Sequence, residues 1–215
     1  MKKHLKTTQP VSSLFEKPAK DRILESSDTL FRTYGIRTSL KAIAHDANSN
    51  VEAVVKYYGF HERLVSLFLK SLIQQAEQYW DELERQHPND AEAALRYWAF
   101  YQQGRTVDPF DPDRLLSRSA AELSGAYPKD PLLVEIEQYW QAERRRLVRL
   151  CRAANFREPG ELADKLLLLV HGLRNERGAF GHYAPSRLLP KTADDLMVAH
   201  GAIRKPPLSW NCDEA

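Results

Sequence analysis

The sequence predicts an all-α protein of about nine helices, and three observations carry that reading. Apolar residues recur at i, i+3, i+4 and i+7 along most of the chain, the spacing that gathers them on one helical face. Hardly any segment alternates polar and apolar with period two over a strand's length. Pro, Gly, Asn and Asp fall between the periodic segments, where helices start and stop.

Between Arg22 and Leu69 three short amphipathic segments follow one another with almost no linker. The first puts Ile23, Leu24, Ser27, Leu30, Phe31 and Tyr34 on one face and ends at Gly35. The second opens at the capping pair Thr38-Ser39 and buries Leu40, Ile43, Ala44 and Ala47. After a turn through Asn48, Ser49 and Asn50, the third buries Val51, Val54, Val55 and Tyr58. Two short helices joined by three or four turn residues form a helix-turn-helix, whose second helix can lie in a DNA major groove.

Beyond Gly59 a long helix is expected from His61 until just before Pro88, carrying Leu64, Phe68, Leu72, Trp80 and Leu83. Asn89-Asp90 caps the next, with Ala94, Leu95, Trp98 and Tyr101 on one face. After a loop through Gly104 and Pro109, a helix runs from about Arg114 to Leu123, then a turn from Gly125 to Lys129. Pro131 suits the first residue of another long helix. In the segment Leu162 to Leu173 the run Leu166 to Val170 leaves no polar face, so more than one side needs cover, and a second subunit is a natural one. Asn175 to Pro190 reads as a loop, and a last helix spans about Thr192 to Ala202. These breaks divide the chain into a flexible basic arm (1–19), a head (20–60), a helical body (61–205) and an irregular tail (206–215). The arm, with Lys2, Lys3, Lys6 and Lys17, is a terminus that can also reach a minor groove.

Composition excludes several classes. The 215 residues are 43% hydrophobic and 28% charged, ordinary for a soluble globular protein. A net charge of +2 is too small to argue for nucleic acid by itself, so any basic footprint has to be local. Cys151 and Cys212 fit no metal or redox spacing and suggest a reducing cytosol. No run approaches the roughly 18 apolar residues of a membrane span, and the first residues lack a signal peptide's apolar stretch. A cytoplasmic protein without a membrane partner, metal or cofactor is expected. G-x-S-x-G, H-E-x-x-H, P-loop and G-x-G-x-x-G patterns are absent, which agrees with a non-enzymatic role.

The order Leu30-Phe31, Gly35, Thr38-Ser39-Leu40-Lys41-Ala42-Ile43-Ala44, Tyr57-Tyr58 and His61-Glu62-Arg63-Leu64 resembles the tetracycline-repressor-like (TetR) family of bacterial transcription regulators. The resemblance covers about the first third of the chain. It implies a homodimer with two DNA-binding heads and a helical body that encloses a pocket for a small-molecule effector. Several positions depart from the family pattern. Asn48 stands where Gly is usual, and Asn tolerates left-handed backbone next best. Ser49 replaces a usual Val, Val55 a common Tyr, and Glu52 a small residue.

Candidate DNA-binding residues follow from the groove-facing side of the third segment and from the caps: Thr38, Ser39, Asn50, Glu52, Ala53, Lys56, Tyr57 and His61. Lys56 can neutralise phosphate or bond guanine, and Tyr57 can bond phosphate. Glu52 is equally a helix-start carboxylate favoured by the dipole. His61 stands where the family often has a phosphate-binding Lys, and its plainer reading is an exposed histidine. Trp80, Trp98, Tyr101, Tyr139 and Trp140 are candidate pocket residues, although each one alone suits a core. Leu166, Leu169, Val170, Leu173 and Leu196 are candidates for the dimer interface, and His171 reads as a hydrogen-bonded residue there. Arg144, Arg145, Arg146, Arg149 and Arg152 read as a solvated face. The function expected is a ligand-responsive regulator, more a repressor than an activator. The alternative is a family-shaped protein that has lost DNA readout and serves protein interaction or ligand sensing.

Overall fold

The computed structural model describes residues 17–124, 130–175 and 184–204. The expected arm up to residue 16, the turn from Gly125 to Lys129, residues 176–183 of the expected loop, and the tail with Cys212 lie outside them. Among the described residues there are nine helices and no strand. They are α1 (Ala19–Tyr34), α2 (Leu40–Asp46), α3 (Val51–Tyr58), α4 (His61–Gln86), α5 (Ala91–Arg105), α6 (Pro112–Ser124), α7 (Pro131–Ala153), α8 (Pro159–Asn175) and α9 (Ala184–Ala199). The chain forms two compact units, Met1–Phe68 and Leu69–Ala215. No helix among the described residues is long and apolar enough to cross a membrane.

In the first unit α1, α2 and α3 pack on one another around Ile23, Phe31, Ile36, Ile43, Ala44, Val54 and Tyr58. The Phe31 ring meets Phe68 and His61 edge-on, with centroids 5.4 and 5.7 Å apart. Gly35 ends α1 at φ 99°, a conformation an L side chain resists. Two residues expected on the buried face of α1 are exposed, Leu24 and Tyr34. Leu24 lies about 100° around the helix from Ile23, and Tyr34 is the last residue before the break. Val51 and Val55 of α3 are exposed as well, because this eight-residue helix buries only Val54 and Tyr58.

In the second unit α5 packs on α7 and α9, α8 packs on α7 and α9, and α6 packs on α7. Their shared core holds Trp80, Leu83, Leu95, Trp98, Leu147, Cys151, Phe156, Leu162, Leu166, Val170, Leu189 and Met197. The apolar run of α8 is thus covered largely from within the chain. The Asp90 and Asp130 carboxylates accept from the backbone N–H groups of Ala93 and Leu132, capping α5 and α7. The last helix starts at Ala184, eight residues before the expected Thr192, with Pro190 inside it. Pro removes an internal hydrogen bond, a cost of about 3 kcal/mol. Burial of Leu189, Ala193 and Met197 along one face of α9 offsets it.

Candidate DNA-binding head and buried polar cluster

The helix-turn-helix is held by side chains at both of its starts. Ser39 Oγ accepts from the Ala42 N–H at 3.3 Å and Asn50 Oδ1 from the Ala53 N–H at 2.8 Å. Thr38 Oγ1 turns back to donate to the Gly35 carbonyl at 2.9 Å. The turn itself passes through Asn48 at φ 47°, the left-handed region that Asn enters more readily than other side chains. Arg22 clamps this turn from α1. Its Nε donates to the Ala47 carbonyl at 3.0 Å and its Nη2 to the Asn48 carbonyl at 3.2 Å. Nothing in the periodicity singled out Arg22, since a partly buried Arg on a short helix looks like solvated surface in a sequence. Tyr58 Oη donates to the Lys20 carbonyl at 2.8 Å and fixes the far end of α3 on α1.

With Val54 and Tyr58 turned inward, α3 leaves Glu52, Lys56 and Tyr57 exposed and Ala53 half-buried. Lys56 Nζ lies 5.9 Å from the centre of the Tyr57 ring. Asn50 and Ser39 are exposed at their helix starts, and Thr38 is half-buried. His61 departs from the expectation of an exposed histidine. It is half-buried, its Nε2 lies 2.8 Å from the Thr38 carbonyl, and its ring packs on Phe31. A carbonyl only accepts, so Nε2 carries the hydrogen. His61 thus ties α4 to the start of α2.

The five aromatic residues expected at a pocket separate into three groups. Trp80 and Trp98 are core, stacked with centroids 6.3 Å apart. Tyr101 is exposed and stacks on Tyr79 at 4.4 Å. Tyr139 and Trp140 border a buried polar cluster that the sequence did not single out. There Arg105 Nε donates to Asp111 at 2.6 Å and its Nη2 to Asp113 Oδ2 at 2.9 Å. Arg174 Nη2 donates to the same Asp113 oxygen and to Gln102 Oε1, both at 2.7 Å. Tyr139 donates to Asp113 Oδ1 at 2.6 Å. Glu143, one turn beyond Tyr139, is 2% exposed, and its Oε2 lies 4.0 Å from His171 Nε2. The His171 ring meets Trp140 edge-on, 6.3 Å between centroids.

Charge in this cluster is unevenly compensated. Burial disfavours the Asp113 carboxylate, but Arg174, Arg105 and the Tyr139 hydroxyl hold its pKa below the ordinary range. Burial, with Asp113 repelling, pushes Asp111 up despite the attraction of Arg105. Glu143 is raised from 4.5 to about 7, first by burial and then by Asp113, against the pull of Arg174 and Arg105. Burial, with Arg174 beside it, lowers the pKa of His171, so this imidazole is a poor counter-ion. Among the buried polar atoms that find no hydrogen-bond partner among the described residues are Gln102 Nε2, Arg174 Nη1, Glu143 Oε2 and Trp140 Nε1.

Of the residues expected at a dimer interface, Leu166 and Val170 are enclosed by the chain's own core instead. They share the inward face of α8 with Leu162. Leu169, Leu173 and Leu196 are half-buried against the same core, while Leu168 and Leu188 are exposed. The expected Arg face of α7 is partly paired: Arg144 bonds Asp164 at 2.6 and 2.9 Å, and Arg149 bonds Glu84 at 2.6 Å.

A helix-turn-helix unit followed by a wholly helical unit defines one class of fold, and solved structures share it. A putative transcriptional regulator from Saccharomonospora viridis, in complex with choline, matches at 16% identity and TM-score 0.67 over 88% of this chain and 100% of that one. A TetR-family regulator from Agrobacterium tumefaciens matches at 20% identity and TM-score 0.65, covering 81% and 94%. A TetR regulator from Haloarcula marismortui matches at 18% identity and TM-score 0.61, covering 85% and 97%. No protein-family model and no curated protein matches the chain. The chain has the TetR-regulator fold over most of its length.

Proposed function

We propose that this protein is a homodimeric, ligand-responsive DNA-binding transcriptional regulator acting as a repressor on a pseudo-palindromic operator. The observation that carries this reading is α3, capped by Asn50, pinned by Val54 and Tyr58, and presenting Glu52, Lys56 and Tyr57 outward. A helix held on one face, with polar side chains on the other, can enter a major groove, Lys56 and Tyr57 serving phosphate or base edges. Thr38, Ser39 and Asn50 stand at the helix starts, where backbone N–H groups favour phosphate. Two heads of a dimer would meet successive grooves about 34–36 Å apart. Exposed Leu168 and Leu188 supply apolar area for a second copy. A neighbour of the same fold holds choline, which supports a ligand in the body of this chain as well. An effector coupling of roughly 1–3 kcal/mol changes DNA affinity about 5–150-fold.

The test is selection of bound genomic fragments, followed by titration at two salt concentrations. Enriched sites with two half-sites, and affinity falling steeply between about 50 and 200 mM salt, are the expected result. The second reading, a protein of this fold without DNA readout, draws on the exposed acid Glu52 and exposed Val55 on α3. Absence of any enriched fragment at low salt would favour it.

A further inference from the structure

We propose that the cluster between α5, α7 and α8 takes a small ligand bearing an ammonium group, which pairs with the Glu143 carboxylate beside Trp140. This assignment deepens the ligand-responsive reading and rests on it. Two guanidiniums, Arg105 and Arg174, already meet two carboxylates, Asp111 and Asp113. Glu143 is the fifth charged group, 2% exposed, and its Oε2 makes no hydrogen bond to any of the described residues. A buried carboxylate is retained cheaply only when a cation reaches it. Among the described residues the basic atom beside it is His171 Nε2, at 4.0 Å. Trp140 lies three residues before Glu143 on α7, and its ring meets His171, whose Nε2 is 4.0 Å from Glu143 Oε2, so aromatic and carboxylate groups flank one imidazole. Aromatic faces beside a carboxylate suit organic ammonium ions. Gln102 Nε2 and Arg174 Nη1 are buried donors that can take a hydroxyl or carbonyl oxygen of the same ligand.

Proton linkage follows from the same groups. Burial, Asp113 and Asp111 favour the protonated form of Glu143, while Arg174 and Arg105 favour the carboxylate; the neutral Tyr139 hydroxyl and His171 stand beside it. With Glu143 held at about 7, a cation displaces its proton, and affinity falls about tenfold from pH 8 to pH 6.

The experiment is calorimetric titration of the full-length protein with choline and with its uncharged isostere 3,3-dimethylbutan-1-ol, at pH 6 and pH 8. Expected are binding of choline at least tenfold tighter than the alcohol at pH 8, about tenfold weakening at pH 6, and loss of that discrimination in Glu143→Gln. Circular dichroism checks that the variant is folded, and Trp140→Leu provides a second variant expected to weaken choline. Equal binding of the two probes, no binding of either at millimolar concentration, or unchanged choline affinity in folded Glu143→Gln would overturn the proposal. DNA binding is measured separately on the same samples. Intact DNA binding without choline binding sinks this assignment alone, and choline binding without DNA binding sinks the regulator reading alone.

Discussion

Tyr139 donates its hydroxyl hydrogen to Asp113 Oδ1 at 2.6 Å, joining α7 to the first turn of α6 with both groups buried. The bond completes the set around Asp113, whose other oxygen takes Arg105 and Arg174. Removing one partner of a buried charge-assisted bond leaves the other unsatisfied, a larger loss than the bond's net worth. Tyr139→Phe is therefore expected to cost about 1–3 kcal/mol in urea unfolding, with the midpoint moved and little change in slope. An unchanged midpoint contradicts this placement.

Glu143 gives a prediction of opposite sign. Its carboxyl is raised in the folded state from 4.5 to about 7, so the folded form holds the proton more tightly. The associated stability is present below about pH 4.5 and is lost as pH rises through 7, about 3 kcal/mol across that window. Glu143→Gln lacks this loss. Relative to the parent protein, the variant should gain stability from pH 5 to pH 8 by up to that amount, read as a difference of two pH–stability curves. A constant difference would show that Glu143 titrates normally.

Arg22 couples α1 to the turn through the carbonyls of Ala47 and Asn48. Each bond carries a charged donor, worth about 1.5–3 kcal/mol when partly buried and less when exposed. Arg22→Ala should speed amide exchange around Ala47 and Asn50 and weaken DNA binding, although Arg22 lies outside α3. Unaltered exchange would mean that the turn holds without it.

The head was legible in the sequence to a greater depth than the body. Ile43, Ala44, Val54 and Tyr58 followed helical spacing and are buried. Asn48 carried its own signal, since few side chains enter positive φ. Periodicity reports which residues lie on a face, but on an eight-residue helix it overestimates how wide that face is, hence Val51 and Val55. The buried cluster was hidden for a different reason. Arg105, Asp111, Asp113, Glu143 and Arg174 are charged residues, which sequence patterns assign to solvent. Only the tertiary arrangement pairs Arg174 with Asp113 across 61 positions. Tyr139 and Trp140 were singled out as aromatic, without the polar groups that they meet. Pro190 suggested a break where the burial of Leu189 and Met197 carries α9 through.

Contact with DNA is assigned to the exposed face of α3. Fluorescence anisotropy of a fragment selected from the genome, titrated with parent protein, Lys56→Ala and Tyr57→Ala, tests it most directly. Neither substitution touches the buried residues Val54 and Tyr58, so the fold is expected to survive. Weaker binding by both variants is expected, with a salt slope about one smaller for Lys56→Ala if Lys56 meets phosphate. Parent-like affinity in both folded variants would contradict the assignment of α3 as the DNA-contacting helix.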